Sequence, residues 1–169
     1  MREPIKIIRD IIKDFMGLDE DKIYIYNQDF KSNTGDLQVI IQFQSSTPYS
    51  NINKFIPADQ GVEGAIQSLR LLTREDYTIN ILSKNTDARI RKEEILLALM
   101  TQEAQDKQGE YNFKISNISS SFIDVSEVEA SGSLNRYAIT ISLLTSYTKE
   151  ILAPYYDSFT IEDATVEGS

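Results

Sequence analysis

Hydrophobic residues recur every three or four positions at the start of the chain. Over residues 4–16 the isoleucines and Phe15 fall on one side of a helix, and charged residues fall on the other. Pro4 suits the first turn of a helix, and Gly17 suits the position just past its end. The pattern predicts an amphipathic helix that covers one face of a sheet. Because its polar side carries both signs of charge, we do not expect it to lie on a membrane surface.

Four later segments alternate apolar and polar residues, which is the periodicity of a β-strand. Residues 23–26 and 37–43 make the first pair, and the turn-like residues 32–35 between them predict a hairpin. Residues 66–72 and 77–83 make the second pair, and the four polar residues between them predict a second hairpin. Because one side of each strand is more polar than the other, the pattern favours antiparallel pairing.

The stretch between these two pairs, residues 44–61, is polar and is interrupted by Pro48 and Pro57. Connections of this length are uncommon in compact domains unless they are functional or disordered. Four larger apolar residues are embedded in it: Tyr49, Ile52, Phe55 and Ile56. Two interpretations remain open at this point, a loosely held surface loop and an ordered arm that docks on a partner.

A second helix is predicted from Asp87 to about Gln108. Thr86 can cap its start, and Gly109 can end it. Its core-facing stripe is apolar and consists of Ala88, Ile95, Leu96, Leu99 and Met100. Leu97 points away from this stripe, so an apolar side chain is predicted on the outer surface of the helix, where it can contact another subunit.

Two further strands are predicted after the second helix. Residues 111–116 alternate, and a longer strand places the apolar residues from Tyr137 to Tyr147 on one face. The sequence therefore predicts an α+β fold with a mostly antiparallel sheet of about six strands packed by two main helices. We expect one domain over residues 1–159. Residues 160–169 are acidic, contain few apolar side chains and are expected to fray.

The composition removes most enzyme chemistries. The chain of 169 residues contains no His and no Cys, which excludes disulfides and every triad or metal site that uses either residue. Its net charge is −9, with no run of Lys and Arg, so we do not expect it to attract nucleic acid. No apolar stretch approaches the roughly 20 residues that span a bilayer. We expect a cytoplasmic product with no cofactor and no membrane partner.

Carboxylates are the remaining candidates for chemistry. Asp124, Glu127 and Glu129 lie close together in the sequence, and such a group can hold a metal ion for hydrolysis. No phosphate-binding glycine loop accompanies them, so we give this interpretation less weight. The acidic cluster at residues 19–21 lacks the spacing of a calcium loop and is interpreted as a solvated turn. We therefore predict no catalytic, cofactor-binding or metal-binding residue.

The C-terminal part of the chain carries an ordered set of short motifs. They are Phe-x-Asp-Val-Ser at residues 122–126, Leu-x-Arg-Tyr at residues 134–137, and Tyr-Tyr-Asp-x-Phe at residues 155–159. Their order and spacing resemble the C-terminal half of bacteriophage tail terminator proteins, also called neck terminator or tail-completion proteins. The start of the second helix, residues 86–93, is similar to this family as well. The resemblance covers about residues 77–159.

The resemblance implies a structural protein of the virion. Members of the family form a six-membered ring on the last ring of tail tube protein and stop elongation of the tube. The expected partners are therefore further copies of this chain in a homohexamer, the tail tube protein, the sheath protein of contractile tails, and head-completion or neck proteins. DNA is expected to pass through the lumen without specific binding. The expected location is the tail or neck of the virion, after assembly in the bacterial cytoplasm.

Eight residues are interface candidates: Arg89, Leu97, Asp124, Arg136, Tyr155, Tyr156, Asp157 and Phe159. Arg136 can engage a carboxylate through two nitrogen atoms, and an isolated ion pair on the surface would contribute little. Our hypothesis is that Arg136 pairs with an acid on a neighbouring subunit and fixes the register of the ring. On this hypothesis, Arg136→Ala abolishes ring assembly and leaves the melting temperature of the monomer nearly unchanged.

Two other functions remain open from the sequence. One is a different neck component, such as a head–tail connector. Loss of a connector leaves finished tails, whereas loss of a terminator gives overlong or headless tails. The other is a carboxylate-dependent hydrolase that uses a divalent metal and loses activity when Asp124 or Glu127 is mutated.

Overall fold

The computed structural model describes residues 3–26, 35–57, 65–129 and 132–153. These residues form an α+β fold, with a mixed but mostly antiparallel sheet and helices packed on one of its faces. In chain order, the elements are α1 (Pro4–Met16), a 3₁₀ turn (Glu20–Lys22), β1 (Ile23–Tyr26), β2 (Gln38–Pro57), β3 (Ala65–Ser83), α2 (Asp87–Arg91), α3 (Glu93–Met100), α4 (Gln102–Glu110), β4 (Lys114–Ile118), β5 (Ile123–Asp124), β6 (Glu127–Glu129) and β7 (Gly132–Ala153).

The first helix begins and ends where the sequence predicts. Pro4 lies in its first turn, and Gly17 follows its last residue with a left-handed φ of 63°. This conformation lets the backbone N–H of Gly17 donate to the carbonyl oxygen of Asp14 at 3.3 Å. One side of the helix is buried through Ile5, Ile7, Ile8, Ile11, Ile12 and Met16. The predicted amphipathic helix is therefore confirmed.

Five strands lie side by side in the order β1–β2–β3–β7–β4, and the short strands β5 and β6 also pair with β7. The predicted hairpin between residues 23–26 and 37–43 is wrong, because β1 runs parallel to β2 and sets Ile23 beside Val39. The other described pairs are antiparallel. The connection over residues 27–37 is longer than the usual hairpin loop of about two to five residues, so the chain can return to the same end of the sheet.

The second predicted hairpin is also wrong, because β3 runs without a break from Ala65 to Ser83. Its expected turn, residues 73–76, contains no Gly, Pro or Asn, so nothing in it requires the chain to reverse. These residues instead pair with β7. On its other side β3 pairs with residues 45–57, which continue β2 as a strand. These residues belong to the stretch 44–61 that the sequence left open, and they are ordered rather than loosely held. Residues 58–61 lie outside the described residues.

Strands β2, β3 and β7 continue beyond the helices as a three-stranded arm. We define the arm by three segments: residues 48–57, 65–73 and 145–153. Its length is about 30 Å, at roughly 3.3 Å per residue. The pairing of β2 shifts between Phe43 and Ser45 and again between Pro48 and Ser50, whereas β3 and β7 pair without a shift. Such bulges bend and twist the strand that carries them.

The hydrophobic core lies between one face of the sheet and the helices α1, α3 and α4. The central row of this face consists of Ile41, Ile79 and Ile139, which are cross-strand neighbours. Ile8 and Ile95 bring fully buried side chains from the helices. Each such isoleucine contributes about 1.5–3 kcal/mol relative to an exposed one. The core is therefore concentrated at the end of the sheet that the helices cover.

The predicted second helix is present as three consecutive segments, α2, α3 and α4. Thr101 separates the last two, because its backbone is extended with ψ 156°. Its hydroxyl oxygen accepts a hydrogen bond from the backbone N–H of Ala104 at 3.2 Å, and its hydroxyl donates to the carbonyl of Ala98 at 2.8 Å. Thr101 thus caps a new helix. Gly109 does not end this helix, which continues to Glu110.

Candidate functional site

The first two motifs of the C-terminal part meet at one place in the fold. The Oδ1 atom of Asp124 accepts hydrogen bonds from the backbone N–H of Ser126 at 3.0 Å and from its hydroxyl at 2.5 Å. The hydroxyl oxygen of Ser126 in turn accepts from the backbone N–H of Arg136 at 3.0 Å. The backbone N–H of Val125 donates to the carbonyl of Arg136 at 2.9 Å. Residues of separate motifs therefore fix one another in position beside β5 and β7.

Asp124 carries the negative charge of this network. The hydrogen bonds from Ser126 lower the pKa of Asp124, and the positive charge of Arg89 lowers it further. Arg89 is exposed on α2. The structure therefore brings three of the interface candidates, Arg89, Asp124 and Arg136, to one region of the surface. Asp124 stays ionised in this setting at neutral pH.

The side chain of Arg136 lies over the sheet of its own chain. Its Nε atom donates to Oδ1 of Asn80 at 3.1 Å, and Asn80 is only 2% exposed. Within the described residues, the ion pairs closer than 4.0 Å do not include Arg136. Arg136 therefore has a structural partner that the sequence did not reveal, and its pairing with an acid of a neighbouring subunit stays a prediction.

Lys92 lies at the junction between α2 and α3 and contacts the same region from the helix side. Its Nζ atom lies 5.9 Å from the ring centre of Phe122 and 5.5 Å from that of Tyr137. It also donates a hydrogen bond to the carbonyl of Arg89 at 3.2 Å. Phe122 and Tyr137 each belong to one of the motifs. These two aromatic residues therefore contact the junction between α2 and α3 through Lys92.

Leu97 lies on the outer side of α3, as the sequence predicts, with 55% of its side chain exposed. Met100 is 63% exposed, so its predicted place in the core-facing stripe is wrong. The physical reason is that α3 ends at Met100 and Thr101 turns the chain into α4. We call Leu97 and Met100 the outer helix patch. They are three positions apart in one helix and are therefore neighbours on its surface.

The other four interface candidates lie outside the described residues: Tyr155, Tyr156, Asp157 and Phe159. The expected frayed segment, residues 160–169, lies outside them as well. The roles of these residues stay predictions from the resemblance.

The arm is an extended surface that the interface candidates do not include. The arm face that continues the helix-covered face of the sheet has four large apolar side chains that are exposed: Phe55, Leu71, Tyr147 and Ile151. We call it the helix-side face of the arm. These side chains are between 40% and 64% exposed. A groove of about 420 Å³ follows the arm beside Leu69, Leu71 and Tyr147.

The opposite face of the arm is also apolar near its tip. Ile56, Ile66 and Leu152 are cross-strand neighbours on this face, and Ile56 and Leu152 are exposed. Two signals in the sequence could have revealed the arm. One is the set of apolar residues embedded in residues 44–61, and the other is the pair of apolar residues Ile151 and Leu152 after the predicted end of the long strand.

Hydrogen-bonded acids lie at the base of the arm. Asp76 accepts from the hydroxyl of Ser142 at 2.6 Å and from that of Ser45 at 3.1 Å. The hydrogen bond from Ser142 is the main reason that the pKa of Asp76 is lowered, and the charge of Arg74 acts in the same direction. This carboxylate therefore links all three strands where the arm begins.

Glu75 links two strands on the other face of the sheet. It accepts hydrogen bonds from the hydroxyl of Tyr77 at 2.9 Å and from that of Tyr147 at 3.3 Å. Burial, followed by this contact with Glu75, raises the pKa of Tyr77 far above its ordinary value. Tyr77 therefore remains a neutral hydrogen-bond donor, and Tyr147 is oriented by the same acid.

Within the described residues, no group of three or more His, Cys, Asp or Glu side chains is placed to hold a metal ion. None of the described helices has the length and apolarity needed to cross a bilayer. No protein-family model matches the chain, and no curated protein matches it significantly. The candidate functional surfaces are therefore the arm, the outer helix patch and the hydrogen-bonded group of Asp124, Ser126 and Arg136, which we call the motif network.

Proposed function

We propose that this chain is a structural, non-enzymatic protein of a bacteriophage virion that caps the tail tube as a tail terminator. The observation that carries the proposal is the ordered set of motifs at residues 122–126, 134–137 and 155–159, which resembles that family. The hydrogen bonds that join Asp124, Ser126 and Arg136 support it, because residues from two separate motifs depend on one another for their position.

The arm supports a role in assembly. Both of its faces carry exposed apolar side chains, including Tyr147 on one face and Leu152 on the other. Contiguous exposed apolar surface is typical of sites where proteins associate. An exposed apolar face of a sheet also gains stability when another layer packs on it. Other protein chains of the virion are the covering layer in this proposal.

A terminator acts through its shape. Six copies, the number that the resemblance implies, form a ring, and one face of the ring binds the last ring of tail tube protein. The opposite face offers no binding surface for another tube ring, so elongation ends there, and in contractile tails the sheath ends with it. That face then receives the head-completion or neck proteins.

The acidic composition is compatible with a channel for DNA. Six copies of a chain with a net charge of −9 carry 6 × −9 = −54 formal charges. A negative wall repels phosphate groups, so the genome passes through without adhering. Replacing acidic residues of the lumen by lysine should therefore slow DNA ejection, and unchanged ejection would contradict this part of the proposal.

Particles produced without this protein test the main proposal. Overlong or headless tails are the expected result, whereas finished tails of normal length would overturn the terminator role and indicate a connector. A second measurement uses the purified protein and isolated tail tubes, viewed by negative-stain electron microscopy. The protein should bind at the open ends of the tubes. Tubes from complete tails, whose ends are already capped, serve as the control and should bind none.

A further inference from the structure

The helix-covered face of the sheet continues into the arm, but the helices do not. In the body of the protein this face is buried under α1 and α3. In the arm, Leu71 and Tyr147 lie opposite each other on the same face, and both are exposed. Phe55 and Ile151 extend this apolar surface toward the tip. Within the described residues, the helix-side face of the arm thus has the character of a core face without its covering layer.

The arm is basic, although the chain as a whole is acidic. Its strands carry Lys54, Arg70 and Lys149 against one acid, Glu150, a net charge of +2. The connection between β2 and β3 contains two acids, so the residues outside the arm and this connection carry −9, the same as the whole chain. Opposite charges favour contact between the arm strands of one copy and the acidic body of another.

The helical layer offers a surface that matches the arm. The outer helix patch, Leu97 and Met100, is apolar and exposed. The next helix, α4, has three acids and one lysine over Gln102–Glu110, a net charge of −2. An apolar patch beside an acidic helix is complementary to an apolar groove that includes Lys149. Both surfaces belong to this chain, so a second copy supplies the partner that each needs.

We propose that the helix-side face of the arm of one copy packs on the outer helix patch of the next copy. The neighbour's α3 then supplies the helical layer that the arm lacks, and the two-layer packing of the body continues across the contact. The contact joins two different surfaces, so each copy keeps one of each for another neighbour. Contacts of this kind form a ring when the rotation between successive copies closes, and an open filament when it does not. This inference rests on the proposed function only for the assumption that copies of the chain assemble.

The absence of Cys from the chain permits a cross-linking test without background. Tyr147→Cys and Leu97→Cys variants are each expressed alone and are also coexpressed, and each preparation is treated with a short thiol-specific cross-linker. We expect a covalent dimer on a denaturing gel from the coexpressed pair. Either variant alone should give no dimer, since a contact between two different surfaces does not bring identical residues together. Thermal melting checks that each variant is folded, and Ile151→Cys provides a second arm position.

The matched control is Leu152→Cys, which lies on the same strand and is also exposed, but on the opposite face of the arm. Its coexpression with Leu97→Cys should give no dimer. The proposal is overturned if neither arm position cross-links to Leu97→Cys, if the control pair cross-links equally well, or if one variant alone forms the dimer. A specific dimer together with normal tails in particles lacking the protein would reject the terminator role alone. Capped tubes without the dimer would reject the contact alone.

Discussion

The Nε atom of Arg136 donates a hydrogen bond to Oδ1 of Asn80 at 3.1 Å, and Asn80 lies buried in the middle of the sheet. A buried amide oxygen that loses its donor costs about 1–3 kcal/mol. Arg136 therefore contributes to the fold of its own chain, in addition to the subunit contact that the motif suggests. An experiment on Arg136 has to separate these two roles.

We expect Arg136→Ala to lower the free energy of unfolding by about 1–3 kcal/mol, because the buried oxygen of Asn80 loses its donor. The sequence alone led to the expectation of an unchanged melting temperature, and the bond to Asn80 is the reason for the difference. Urea denaturation measures the effect. Asn80→Ala removes the same bond, so the double variant should be less destabilised than the sum of the single variants. Strict additivity would show that the bond contributes nothing.

Because Arg136→Ala is expected to be less stable, its ring assembly has to be measured separately from its folding. The variant should be examined at a temperature where circular dichroism shows that it is folded. Loss of rings under those conditions supports a role for Arg136 in the subunit contact. Normal rings would leave Arg136 with its structural role and contradict the hypothesis of an acid on the neighbouring subunit.

The core and the helix surface should respond differently to the same substitution. Ile79 is fully buried in the central row of the sheet, whereas Ile90 is 69% exposed on α2. We expect Ile79→Ala to lower the free energy of unfolding by about 2–5 kcal/mol, because it removes buried methyl groups and leaves a cavity. Ile90→Ala should change it by less than about 0.5 kcal/mol. Equal effects in chemical denaturation would contradict the assignment of Ile79 to the core.

Local patterns in the sequence predict local structure well in this protein. The helix at Pro4–Met16 follows from its apolar spacing, its proline and its terminal glycine, all of which act within a few residues. Most strand segments follow from alternation for the same reason, but the strand predicted at residues 111–116 begins only at Lys114. Strand direction does not follow from alternation, because Ile23 is set beside Val39 by contacts across the sheet that alternation cannot encode. A parallel and an antiparallel pair have the same alternating sequence.

The arm and the contacts of Arg136 were also not predictable from local patterns in the sequence. Pro48 interrupts the pattern of β2 and the pairing shifts beside it, so the alternation of β2 loses its phase at that point. The β2 segment of the arm therefore resembles a polar loop in the sequence. The contact between Arg136 and Asn80 joins residues 56 positions apart, and no pattern along the chain predicts such a pair. Only the register of β3 against β7 brings them together.

The acid sensitivity of the base of the arm follows from Asp76. Its pKa is lowered in the folded protein, mainly by the hydrogen bond from Ser142. A carboxyl group whose pKa is lowered by folding stabilises the protein at pH values above its pKa in the unfolded chain, which is about 3.9 for Asp. This stability is lost as the pH falls through the pKa of the same group in the folded protein. We therefore expect Asp76→Asn to be less stable than the wild type at pH 7, with the difference shrinking as the pH falls below about 4.

Urea denaturation at several pH values measures this difference for Asp76→Asn. Asp21→Asn is the matched control, because it makes the same change in charge at an exposed position in the 3₁₀ turn. The control should be close to the wild type at every pH. A stability difference for Asp76→Asn that stays constant from neutral to acidic pH would show that its carboxylate charge does not contribute.

Gly17 and Gly109 form a matched pair for testing backbone conformation, since Gly17 lies just past the end of α1 and Gly109 lies within the last turn of α4. A Cβ atom added at either position meets nothing within 4 Å, so packing does not decide the outcome. Gly17 has a left-handed φ of 63°, which costs other residues roughly 1–2 kcal/mol. Gly109 lies inside α4, where alanine is better by roughly 0.5–1 kcal/mol. Gly17→Ala should therefore lower the free energy of unfolding and Gly109→Ala should raise it, as measured by thermal and urea denaturation. A change of the same sign in both variants would mean that backbone conformation does not control stability at these glycines.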